Sequence, residues 1–75
     1  MFVVQPFHHF AGQLQAGDLS RTEDEDLAFR RGKALMGFAA GVAFFRIDTS
    51  ASGDQWTQIE LLATVGDVPP DLDAA

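Results

Sequence analysis

Cysteine is absent from this 75-residue chain. That excludes disulfides, thiolate metal sites and cysteine redox chemistry as supports for a small core. Basic residues are scarce. Five Lys and Arg stand against eleven Asp and Glu, a net charge of -6. An acidic surface repels phosphate backbones, which argues against nucleic-acid and anionic-membrane partners. No apolar run approaches the ~18–20 residues that cross a bilayer. Met1–Phe10 has no basic lead and is interrupted by Gln5, Pro6, His8 and His9. It therefore reads as part of the folded domain rather than a signal peptide, and the cytoplasm is the expected setting. Gly-rich phosphate loops are missing. Gly32-Lys33 lacks the upstream glycine and the following hydroxyl of a P-loop. Ser20, Ser50 and Ser52 have no nucleophile-elbow context, so no catalytic role and no cofactor is expected.

What is present is ordinary globular material. Hydrophobic residues make up 47% of the chain, including seven Phe and one Trp, which is enough for one domain but not two. A domain this short buries only ~60% of its unfolded surface, so its stability is marginal.

Residues 2–10 (FVVQPFHHF) are rich in β-branched and aromatic types and predict a strand. Pro6 has no N–H for a ladder, which predicts an edge position or a bulge. A short return strand is expected over 13–19, interrupted at Gly17-Asp18. Thr22 to Glu25 reads as a capping box. Glu23, Asp24, Glu25 and Asp26 suit a helix N-terminus, and Arg30, Arg31 and Lys33 suit the far end. The expected helix spans about 23–38. Leu27, Ala28, Ala34, Leu35 and Phe38 form its apolar face, and the Arg31 stem lies along it. Gly32 inside that helix costs about 1 kcal/mol relative to Ala unless it permits close packing.

Gly41 ends the helical region. A hairpin follows, with strands at 42–48 and 55–65 around the polar turn 49–54. Its expected register sets Arg46 near Glu60. Ala43, Phe45, Ile47, Ile59, Leu61, Ala63 and Val65 then share one face, and Val42, Phe44, Trp56 and Leu62 share the other. The layout is α+β, in the order ββαββ: a mostly antiparallel four-stranded sheet with one helix packed on one face. Residues 1–68 form the domain and 69–75 an acidic, flexible C-terminal tail.

One helix covers only one side of such a sheet. Val42, Phe44, Trp56 and Leu62 are therefore the candidate interface, unless the N-terminal hairpin or the tail folds over them. Arg30, Arg31 and Lys33 are the candidate basic patch. Adjacent His8 and His9 on a strand point to opposite faces, so they do not make a shared metal site. The carboxylates at 23–26 lack the spacing of a calcium loop. The expected activity is a non-enzymatic protein-interaction or self-association module. A nucleic-acid-associated regulator using the basic patch, and a small-ligand site in an oligomer cleft near His8 or His9, are the alternatives.

The segments RTEDEDLAFRRGKAL, GVAFF and LLATVGDVP resemble a group of small alphaproteobacterial proteins of unknown function. Gly41-Val42 and Gly66-Asp67-Val68-Pro69 carry the match. The resemblance implies a bacterial origin and a cytoplasmic setting, and no activity. The helix here has fewer basic residues than the group's, which counts against nucleic acid.

Overall fold

The computed structural model describes residues 1–70 and 72. The elements are β1 (Phe2–Phe10), β2 (Gln13–Ala16), β3 (Ser20–Thr22), α1 (Glu25–Leu35), β4 (Gly41–Thr49) and β5 (Trp56–Gly66). All pairings are antiparallel. β1 lies beside β4, and β4 beside β5. β2 and β3 both pair with the other side of β1, as two halves of one row broken at residues 17–19. The class is α+β with a helix packed on a mostly antiparallel sheet. The expected return strand is split into two, making five strands in four rows.

Pro6 does not place β1 at an edge. β1 is central, and the missing N–H is absorbed locally. The Gly17 N–H donates to the Pro6 carbonyl at 2.9 Å. In an unbroken ladder the Pro6 N–H would donate back to the Gly17 carbonyl. Instead, Gln5 Nε2 donates to the Gly17 carbonyl at 2.8 Å. The same nitrogen also reaches the Pro6 carbonyl at 2.8 Å. The proline thus coincides with the break in the neighbouring row, and a side-chain amide fills the gap in the ladder.

The helix starts later than the capping box implied. Asp24 is the N-cap, and its Oδ1 accepts from the Asp26 and Leu27 amides at 3.0 and 3.4 Å. Thr22 Oγ1 accepts from the Asp24 amide at 3.2 Å, so it shapes the approach rather than capping. Asp is as good a cap as Thr, and the frame with Glu25 and Asp26 in the first turn wins. The helix also ends earlier than expected, at Leu35. The Gly37 and Phe38 amides bond back three residues, to Ala34 and Leu35, which tightens the chain into turns. Phe38 is left 72% exposed and Ala34 is exposed, so neither belongs to the apolar face. That face is Ala28 and Gly32, with Leu27, Phe29 and Leu35 half-buried.

The helix packs on β1 and β4. Val4, Ala28, Val42 and Phe44 form the buried cluster, with Phe2, Phe29, Leu35, Met36, Leu62 and Ala63 against it. Each large buried side chain contributes roughly 1.5–3 kcal/mol. Gly32 is the point of closest approach. A Cβ there would run into the Phe44 ring, which stacks on Phe29 at 4.7 Å between centroids. The glycine expected to cost helix stability is what lets the helix sit down on the sheet.

The opposite face is buried too. Val3, Phe7, Ala43 and Ile47 alternate with the helix-side residues along β1 and β4, and all are buried. At Gly66 the chain turns with φ +73°. The Asp67 amide donates to the Ala40 carbonyl at 3.0 Å. The Asp67 carbonyl then occupies the space where a Gly41 side chain would stand. From there the chain returns over this face. Val68, Pro69 and Leu72 are half-buried, and Leu72 sits among residues of β1, β4 and β5. Pro69 and Leu72 thus lie against the sheet, and Pro70 is exposed. Asp71 and residues 73–75, the rest of the expected flexible tail, lie outside the described residues.

Candidate interaction surface

The four-residue interface expected from alternation does not exist as a surface. Val42 and Phe44 are buried beneath the helix, and Leu62 packs beside them. Trp56 is on the other face. The cause is two bulges. Arg46 faces Glu60 and Ile47 faces Ile59, as expected. Between Phe44 and Phe45 the register slips, leaving Leu62 as the extra residue, and between Asp48 and Thr49 it slips past Thr57. Each extra residue inverts the alternation on β5. Ala63 and Val65 therefore turn to the helix side, opposite Phe44 and Val42. Trp56 joins Ile59 on the far side.

That far side carries a groove. Val3, Gln5, Leu19, Phe45, Trp56, Ile59 and Leu72 line a cavity of about 210 Å³. Its rim is apolar and open to solvent: Trp56 is 39% exposed, Ile59 57% and Leu19 44%. A smaller hollow of about 170 Å³ adjoins it, lined by Leu61, Thr64, Val68, Pro69, Pro70 and Leu72. Leu19 and Leu72 were the residues sequence reasoning passed over. A leucine among the aspartates of the tail, and another at the strand break, were the available signals.

The two edges of the sheet are built differently. The β2/β3 edge is short, broken and polar, with exposed Gln13, Gln15 and Arg21. The β5 edge runs 11 residues without Pro or Lys. Every residue from Trp56 to Glu60, and again from Thr64 to Gly66, is exposed. Its single charge, Glu60, accepts from Arg46 Nη2 at 3.1 Å. Arg46, Glu60, Asp48 and Gln58 line a polar recess of about 230 Å³ on the helix side of the hairpin.

The basic patch is partly occupied. Arg30 Nε lies 3.3 Å from Asp26 Oδ2, one turn away, and Arg31 Nη1 donates to the Arg21 carbonyl at 3.4 Å. Arg31 is exposed, so its stem does not join the helix face. Lys33 sits in the last turn, where the helix dipole favours a cation. His8 and His9 part as expected. The His8 ring lies over Gly17, and His9 Nε2 lies 3.2 Å from Asp67 Oδ2 on the opposite face. Among the described residues no group of three His, Asp or Glu side chains could hold a metal ion. At the hairpin tip, Ser52 and then Ser50 donate to the Asp54 carboxylate and hold its pKa below the usual 3.8.

No protein-family model, curated protein or solved structure matches the chain. No helix among the described residues is long and apolar enough to cross a membrane.

Proposed function

We propose that this chain is a protein-interaction module that works through its projecting β4–β5 hairpin, and not an enzyme. The observation that carries this reading is the concentration of exposed apolar side chains on β5. Trp56, Ile59 and Val65 are three of the seven large exposed hydrophobics among the described residues. Trp56 and Ile59 rim an apolar groove beside an unpaired strand, so side-chain anchors and backbone hydrogen-bond groups are offered together. That combination is the chemistry of strand addition: the backbone supplies affinity and the flanking pocket supplies selectivity. A nucleic-acid role draws less support, because Arg30 is already paired to Asp26 and the chain carries a net charge of -6.

Site-specific photocrosslinking in the native host tests the reading. A crosslinker at Ile59 should give a discrete adduct, of whatever mass, that Trp56→Glu removes. The same probe at Lys33, on the helix, should give none. Adducts from position 33 alone, or from neither position, would contradict it.

A further inference from the structure

We infer that the partner at this edge is a second copy of the chain, paired β5 to β5 in antiparallel register across a two-fold axis. The inference rests on the proposed interaction reading and names its partner.

The two edges of the sheet are unequally protected. Folded proteins guard free edges with charge, proline, brevity or distortion, because an open strand templates another. Here one edge has such guards and the other largely lacks them. The β2/β3 row is broken by Gly17-Asp18 and carries Arg21. β5 is long, has neither proline nor lysine, and keeps its two bulges as the only distortion. Among the described residues no strand pairs with its outward N–H and C=O groups.

Charge favours the same seam. Two copies each carrying -6 repel one another unless the seam is electrically quiet. β5 satisfies that condition. Glu60 is its one charged residue, and Arg46 from β4 already neutralises it. The acidic residues at the start of the helix, Glu25 and Asp26, lie on another element and not on β5.

The exposed area agrees. A compact monomer of this mass exposes roughly 4,500 Å². This chain exposes 4993 Å², a surplus of about 500 Å². Its radius of gyration, 12.4 Å, likewise exceeds the ~11.4 Å of a compact 75-residue domain. The smallest stable interfaces remove about 600 Å² from each partner. The surplus is of the size that one strand-to-strand seam with its flanking side chains would remove.

Antiparallel pairing follows from the faces. A two-fold axis perpendicular to the sheet joins two β5 strands antiparallel and keeps like faces together. Both helices then lie on one side of a continuous sheet. Both grooves lie side by side on the other, with Trp56 and Ile59 of each copy next to the seam. A parallel two-fold pairing would set one copy's helix face beside the other's groove.

Light scattering behind size exclusion, over ~1 µM to ~1 mM, is the test. Wild type should rise from 8.1 kDa to twice that mass. Ile59→Glu and Thr64→Glu, both on the β5 edge, should each weaken association at least ~10-fold, because each places a new carboxylate from both copies on the same face beside the seam. Gln15→Glu changes the net charge equally but sits on the other edge, so it should behave as wild type. Circular dichroism confirms that each variant is folded. A constant 8.1 kDa mass overturns the inference, as does equal weakening by all three variants or by none. Monomers in vitro alongside a heavier Ile59 adduct in cells would sink self-pairing and leave the interaction reading standing. Monomers with no adduct would remove both.

Discussion

Replacing Gly32 by alanine sets two effects of opposite sign against each other. In an exposed helix interior the change gains about 1 kcal/mol, because alanine loses less backbone entropy on folding. Here the new methyl would meet the Phe44 ring, which is buried, pinned by Phe29 and set over Val4 and Val42. Forcing a methyl into a filled core costs roughly 1–3 kcal/mol in displaced side chains and backbone. Overpacking should win, leaving Gly32→Ala less stable than wild type by up to about 2 kcal/mol. For a domain of this size that lowers Tm by up to roughly 16 °C. Urea and thermal denaturation followed by far-UV circular dichroism measure it. Trp56 fluorescence is a poorer reporter, because that ring is partly exposed in the folded state. Phe44→Leu alone should cost about 1 kcal/mol or more by thinning the core. Combined with Gly32→Ala it should cost less than the sum, with a coupling of about 1 kcal/mol, because the smaller side chain makes room for the methyl. A Gly32→Ala variant that is more stable than wild type would refute the close approach of helix and sheet.

Two further outcomes follow from local geometry. Gln5→Leu should destabilise by about 1–3 kcal/mol, because it strips the Gly17 carbonyl of its donor. Adding Pro6→Ala should recover part of that loss by restoring a backbone N–H on the same side, and equal stability of single and double variants in urea melts would count against it. Asp54 should titrate below 3.8 in an NMR pH series, and Ser52→Ala should move it back up, since the Ser52 hydroxyl is the largest cause of the depression. The sign is that of a carboxylate with a lowered folded pKa. Its small stabilisation is present above 3.8 and fades as pH falls through the folded value, so an Asp54 titrating above 3.8 would be the contrary result.

Much of the fold was legible in the residues. The charge gradient from Glu25 and Asp26 to Lys33 marks one helix, because the helix dipole selects it. The polar run between two apolar strands marks the hairpin, and the pairing of Arg46 with Glu60 came from its register. The errors are local and physical. Bulges at Thr57 and Leu62 involve no glycine, so nothing in the composition signals the inversion that moves Trp56 to the open face. Grouping Val42, Phe44 and Leu62 together was right, but which face the helix covers is decided by how Gly32 fits Phe44. Pro6 pointed to an edge because a side-chain donor one residue earlier is not a propensity. The groove was hidden for a similar reason: Leu19 and Leu72 reach it from a break and a tail, and neither has periodicity.

Amide hydrogen exchange along β5, at low and high protein concentration, addresses the central claim most directly. If β5 pairs with its copy, the outward-facing amides of residues 56–66 should exchange more slowly as concentration rises, while those of β2 and β3 stay unchanged. If β5 amides exchange at the same rate at both concentrations, the strand edge is not where this protein meets its own kind.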